Sequence, residues 1–237
     1  MSKCISFEAE NAEVRAFFGS RPVGYFIEVG ANDPQNASQT WHLEQLGWTG
    51  LLIEPMQENH EKLLAQRPKS RAVRAACSSP DKRGMGALNI AEHSFLNCLE
   101  KNVDDQGVQY SKTESVPIVT LDDVLNEKPP GKIDFISIDV EGTEMDVLRG
   151  FDLAKWKPEL LVIEDKVNNL EKHRYLSSHG YRLLRRLGIN GWYVPVGHPA
   201  QSSLGQRLEI LRKYYLGMPF RKYRFNQRVR RRLAKKK

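Results

Sequence analysis

The sequence predicts an α/β protein built on a doubly wound, mostly parallel sheet, and three observations predict it. Short apolar strands alternate with amphipathic helices through the first half of the chain. Several of those strands are unbroken apolar runs, as expected where both faces of a sheet are covered. Each run then stops at acidic residues and a turn, which puts polar groups at the carboxyl ends of strands, where open α/β sheets bind their ligands. The clearest case is Ile133, Phe135, Ile136 and Ile138, followed by Asp139, Glu141 and Gly142 and then by the helical pattern of Met145, Val147 and Leu148.

Taken in order, Phe7 to Phe18 reads as a leading helix with Val14, Phe17 and Phe18 on its apolar side, and residues 1–24 form a lead-in. Tyr25 to Val29 is the first strand, turned by Gly30-Ala31-Asn32-Asp33-Pro34. A helix is expected over Ala37–Leu46, a strand at Leu51–Ile53 closed by Glu54 and Pro55, a helix over Gln57–Gln66 and a third strand over Arg71–Ala76. From Ser78 to Val116 no period is sustained, which suggests an excursion over the site more than a packed layer. Val116–Val119 is a further strand, and Thr120 or Asp122 caps the short helix behind it. Leu160–Ile163 is another buried strand, ending in Glu164-Asp165-Lys166. A helix over Asn169–His179 precedes a closing antiparallel pair, Tyr181–Leu187 and Trp192–Val196. The main domain thus spans 25–198, and 199–237 is a carboxyl-terminal helix and basic tail.

Composition narrows the function. Mean hydropathy is −0.53 and hydrophobic content 40%, and no apolar run approaches the roughly 20 residues that span a bilayer. The polar, acidic first residues lack the layout of a secretory signal, and Cys4, Cys77 and Cys98 have no metal-type spacing, so a reduced, cytoplasmic protein is expected. The net charge of +7 is unevenly held. Pro219–Lys237 contains ten basic residues and no acid, which leaves −3 on the rest of the chain. A mildly acidic domain therefore carries a basic tail, expected to be mobile or helical only when bound.

Four strand ends carry polar groups: Glu28 with Gly30, Glu54, Asp139 with Glu141, and Glu164 with Asp165. A glycine after the first strand lets backbone approach a ligand, and an acid after the second suits the two hydroxyls of a ribose. Both point to an adenosine-containing ligand. A dinucleotide needs the three glycines of G-x-G-x-x-G for its pyrophosphate, whereas the loop here supplies only Gly30. A ligand without pyrophosphate, such as S-adenosylmethionine, fits better.

The combination Phe26-Ile27-Glu28-Val29-Gly30-Ala31-Asn32, Ile53-Glu54-Pro55, Thr120-Leu121-Asp122 and Ile133 through Glu144 with Leu148-Arg149-Gly150 resembles the FkbM family of S-adenosylmethionine-dependent methyltransferases. The resemblance runs from about Tyr25 to Glu164; Asp33-Pro34 departs from the small or glycine-containing continuation common there. It implies a Rossmann-like class I methyltransferase fold, with a mostly parallel seven-stranded sheet and a closing antiparallel strand. The activity it implies is O-methylation, usually of a sugar or polyketide-type hydroxyl. It carries Glu28, Gly30, Ala31 and Asn32 over as the methionine-side loop and Glu54 with Pro55 as the ribose contact. Asp139 and Glu141 become the floor between donor and acceptor, and Ala76, Cys77 and Ser78 the adenine side.

A sugar hydroxyl must lose its proton to attack a methyl group. Asp139 can serve as base, with Glu164 orienting the acceptor; alternatively Asp139, Glu164 and Asp165 form an all-oxygen set for Mg²⁺. Lys166 and the loop residue His93 are further groups within reach of an acceptor, although each is more simply a solvated side chain. The preferred acceptor is a saccharide, glycolipid or lipid-linked sugar, with the tail at 219–237 bringing the enzyme to an anionic membrane at its inner face. The rivals are a nucleic-acid ribose methyltransferase that docks through the tail and a non-catalytic Rossmann-like binding module.

Overall fold

The computed structural model describes residues 7–91 and 110–234. Helix α1 (Phe7–Phe18) leads into strand β1 (Tyr25–Val29), followed by α2 (Trp41–Gln45), β2 (Thr49–Ile53), α3 (Gln57–Gln66) and β3 (Ser70–Val73). Next come the short β4 (Ala76–Cys77), β5 (Gly84–Ala91), β6 (Tyr110–Val119), α4 (Leu121–Glu127) and β7 (Phe135–Ile138). Helices α5 (Glu144–Arg149) and α6 (Leu153–Trp156) precede β8 (Leu160–Glu164), α7 (Glu171–Ser178), β9 (Tyr181–Leu187) and β10 (Asn190–Pro195). The chain closes with α8 (Leu204–Ile210), a π-helical segment (Leu211–Leu216) and α9 (Met218–Ala234).

Seven strands form the main sheet in the order β3-β2-β1-β7-β8-β10-β9. β10 alone runs antiparallel to its neighbours, wedged between β8 and β9. Alternation along each strand divides the core in two. Ile27, Leu51, Ile136 and Leu161 face α4, α5, α6 and α7, while Phe26, Leu52, Phe135 and Val162 face α1, α2 and α3. These side chains are essentially inaccessible, and each contributes roughly 1.5–3 kcal/mol by leaving water. With both faces covered, the strands need no polar side, which is why the sequence shows apolar runs.

The structure corrects three expectations. The third strand ends at Val73, and Ala76–Cys77 joins a second, three-stranded sheet of order β4-β6-β5. That sheet occupies most of the described part of the stretch expected to be irregular: β5 and β6 pair antiparallel over a small core of Met56, Ala76, Leu88, Ile90 and Val116. The alternation of Leu88 and Ile90 was there to read, but Gly84 and Gly86 blunt it. His93 and Cys98, within that stretch, and Cys4 lie outside the described residues. Finally, the tail is helical and anchored to the domain. Tyr214 is fully buried and donates to Asp165 Oδ2 at 2.7 Å, and Arg221 Nε donates to the Val167 carbonyl at 3.2 Å. Thr120 caps α4 in a reciprocal box with Asp123. Among the described residues no helix is long and apolar enough to cross a membrane.

Candidate active site

The parallel register pairs Val29 with Ile53 on one side and with Ile138 on the other, and Ile138 with Ile163. The residues at or beyond those positions therefore emerge along one edge, where a cavity of about 300 Å³ opens. Gly30, Ala31 and Asn32 form one wall, Glu54 and Pro55 the next, Ala76 and Cys77 a third, and Asp139, Glu141 and Glu164 the floor.

The first wall is shaped by contacts beneath it. Glu28, expected to touch the ligand, lines the cavity, but Ser38 Oγ, Thr40 Oγ1 and the Gln39 amide all donate to its carboxylate. It braces residues 38–40 instead. Burial raises its pKa, against the pull of nearby Arg67. Arg67, itself fully buried, pairs with Glu44 at 2.7 Å and donates to the Pro34 carbonyl and to Thr40. Gly30 lines the cavity and has a further role in its shape. It adopts φ +85°, and a Cβ there would lie 1.9 Å from the Asp139 carbonyl oxygen, so the missing side chain lets two strand ends meet.

Asn32 stands in the left-handed region at φ 46°, where asparagine is tolerated better than most residues. Its amide donates to Glu54 Oε2 at 2.8 Å, and Asn59 donates to its side-chain oxygen at 2.7 Å. Glu54 Oε1 accepts the Met56 amide. Each Glu54 oxygen thus has one backbone donor and capacity for another. Burial pushes this carboxyl up to about 7. On the third wall, burial pushes the Cys77 thiol up to about 12, which makes it a packing residue and not a nucleophile. Ser78 does not line the cavity; it is buried behind, its amide on the Val119 carbonyl.

The floor is dense in charge. Asp139 Oδ1 is buried with no hydrogen-bond partner among the described residues. Burial, then the charges of Glu164, Glu141 and Glu144, raises Asp139 well above the ordinary carboxylate range, opposed by Lys166. Glu164 is raised too, by burial, with Lys166 the main opposing influence. The Lys166 ammonium lies 3.2 Å from Glu164 and 3.7 Å from Glu141. Burial alone would lower its pKa, and these carboxylates outweigh that and raise it. Glu141 is held at φ 53° beside Gly142 at φ 110°, a strained turn that an active-site loop can retain.

The Mg²⁺ set expected at Asp139, Glu164 and Asp165 is not assembled. Asp165 turns away from the cavity, its carboxylate accepting from the Val167 amide and Tyr214, with Arg186 at 3.7 Å. Glu144 takes its place, with one oxygen each of Asp139, Glu144 and Glu164 within 4.8 Å of one another. Each Glu144 oxygen already takes one donor, the Gly142 amide on one and Lys172 at 2.9 Å on the other. Two ammonium groups, Lys166 and Lys172, thus already compensate these acids from within, which weakens their pull on a divalent cation. Sequence reasoning also missed Gln39, Ser137, Thr143 and Ile189 on the cavity walls. Ser137 sits inside an apolar run and donates to Gln39 at 2.8 Å; a hydroxyl in a buried strand was the available signal.

A family model described as the methyltransferase FkbM domain matches residues 28–183, which span every wall of this cavity except its far side at Ile189. Among solved structures, TrmK of M. capricolum in complex with S-adenosyl-homocysteine is similar to the chain, with 11% identity and a TM-score of 0.44. The similarity covers 98% of each chain. No curated protein matches the sequence.

Proposed function

Because this chain belongs to the FkbM methyltransferase family, we propose that it transfers the methyl group of S-adenosylmethionine to a hydroxyl of a saccharide, glycolipid or related metabolite, with Asp139 as general base. The family and the sheet order make it an S-adenosylmethionine-dependent methyltransferase of Rossmann-like fold. The hydroxyl and its base are the reading offered here.

The observation that carries it is the unpartnered, buried Oδ1 of Asp139 on a floor of like charges. A carboxylate in water is too weak a base to help a sugar hydroxyl. One that burial and neighbouring acids have raised is better matched to the task, and such a base supplies about 10²- to 10⁴-fold in rate. The cavity suits the donor: Glu54 would hold the ribose hydroxyls on its two remaining acceptor sites, and the apolar side at Ala76, Cys77 and Leu88 suits a purine. When bound, S-adenosylmethionine supplies an electrophilic methyl carbon on a sulfonium. Asp139 would accept the proton of an acceptor hydroxyl, leaving that oxygen able to take the methyl group as the sulfonium becomes a neutral thioether. Glu164 then shares the proton's field with Asp139, while Lys166 limits the build-up of negative charge.

The test is transfer of labelled methyl to pooled saccharides, lipid-linked sugars and RNA, followed by mass spectrometry of the product. A product methylated on a sugar hydroxyl, absent with Asp139→Asn, is expected. Methylated RNA would favour the nucleic-acid rival, and methylation at nitrogen or carbon would remove the hydroxyl reading. Failure to bind S-adenosylmethionine would leave only a binding module.

A further inference from the structure

The carboxyl-terminal segment displays a row of large apolar side chains that no described residue covers: Leu204 and Phe220 are 74% and 72% exposed, and Leu208, Leu211, Leu216 and Tyr223 are exposed as well. Their spacings along the chain are four, three, five, four and three residues. In a regular α-helix the step of five would swing the second half of the row off the first. Here that step, Leu211 to Leu216, coincides with the π-helical segment, where a 2.7 Å bond from the Gly217 amide to the Arg212 carbonyl closes a five-residue turn. The wider turn keeps the row on one side. Helical hydrogen bonding resumes across the junction, with the Arg221 amide on the Gly217 carbonyl.

Cations border the row. Arg207, Arg212, Lys222, Arg224 and Arg230 are exposed, and Glu209, the one acid from residue 204 to the end of the sequence, is paired with Lys213 at 2.8 Å. We propose that this face docks the protein on an anionic lipid bilayer, the apolar row entering the boundary between headgroups and acyl chains and the cations meeting lipid phosphates. Charge complementarity selects this occupant. A second copy of the same face would bring like charges together. RNA would leave Leu204, Leu208, Leu211 and Leu216 without a role, since aliphatic side chains offer no ring for a base to stack on. The anchors at Tyr214–Asp165 and Arg221–Val167 tie the segment to the residues just after Glu164 on the cavity floor. Docking would therefore hold the cavity at a fixed offset from the lipid surface, whichever acceptor it methylates.

The test uses the full chain, sedimented with vesicles of phosphatidylcholine alone and of phosphatidylcholine mixed equally with phosphatidylglycerol. Binding to the anionic vesicles at least about tenfold tighter, and weakening with salt, is expected. Leu208→Glu and Phe220→Glu should each lower it about tenfold with unchanged melting, because both side chains are exposed. Arg224→Glu serves as an independent probe of the charged rim. Equal binding to both vesicle types, or binding unchanged in all three variants, would overturn the proposal. So would retention of the protein by an RNA pool, or self-association by light scattering, without anionic-vesicle binding.

Discussion

Gly30 and the backbone of Asp139 are in contact across the join between β1 and β7: a side chain at position 30 would begin 1.9 Å from the Asp139 carbonyl oxygen. The loop proposed to meet the donor and the residue proposed to take the proton are therefore set by one another. Gly30→Ala adds this clash to the strain of φ +85°. A loss of about 2–4 kcal/mol in urea unfolding is expected, together with weakened S-adenosylmethionine binding. A wild-type unfolding midpoint would show that the strand ends part without cost.

Asp139→Asn keeps the shape of the floor and removes the proposed base. The turnover number should fall about 10²- to 10⁴-fold while S-adenosylmethionine affinity, read by calorimetry, changes only a few-fold. Near-normal turnover would exclude Asp139 as base.

Glu54 yields a paired prediction for binding and stability. Its carboxyl titrates at about 7 in the folded protein, above the usual 4.5, so the folded state holds the proton across that window. Stability should therefore fall as pH rises from 4.5 towards 7, with the full cost present above it. Glu54→Gln should flatten this pH dependence between pH 4 and pH 8, and at pH 4 it should be less stable than wild type, because its amide nitrogen cannot accept from the Asn32 or the Met56 amide. Ligand binding should move the other way. Ribose hydroxyls favour the ionised form, so wild-type affinity should weaken as pH drops below 7. Glu54→Ala should weaken it about 10- to 100-fold at pH 8. A pH-independent affinity in the wild type would place the ribose elsewhere.

Lys166 opposes the raised pKa of both Asp139 and Glu164. Lys166→Met should move the rising limb of the kcat/KM profile to higher pH. Chelators should leave wild-type turnover intact, since Lys166 and Lys172 already compensate the acids. Loss of activity on chelation, restored by Mg²⁺, would contradict that account.

The acidic strand ends were legible because a parallel sheet turns sequence position into spatial position. Once Tyr25–Val29, Leu51–Ile53, Ile133–Ile138 and Leu160–Ile163 read as strands, Glu54, Asp139 and Glu164 had to share an edge. What each carboxylate does there was not legible, because it depends on distant donors. Glu28 and Asp165 look like Glu54 and Glu164 in sequence, yet Ser38, Gln39 and Thr40 take the first and Tyr214 the second. Nor could the tail's anchorage be read, because it rests on Tyr214, which lies ahead of the basic stretch, and on Arg221, one of its many cations.

The brace on Glu28 ties the segment at 38–40 to strand β1. With its carboxylate held by Ser38, Gln39 and Thr40, and Arg67 clamping Pro34 and Thr40 from behind, the wall above β1 takes its shape as the chain folds. Association with the donor then orders little backbone on that side, so its rate should track diffusion and encounter more than a rearrangement. A single-exponential approach to saturation, linear in donor concentration, is the kinetic signature of such a wall.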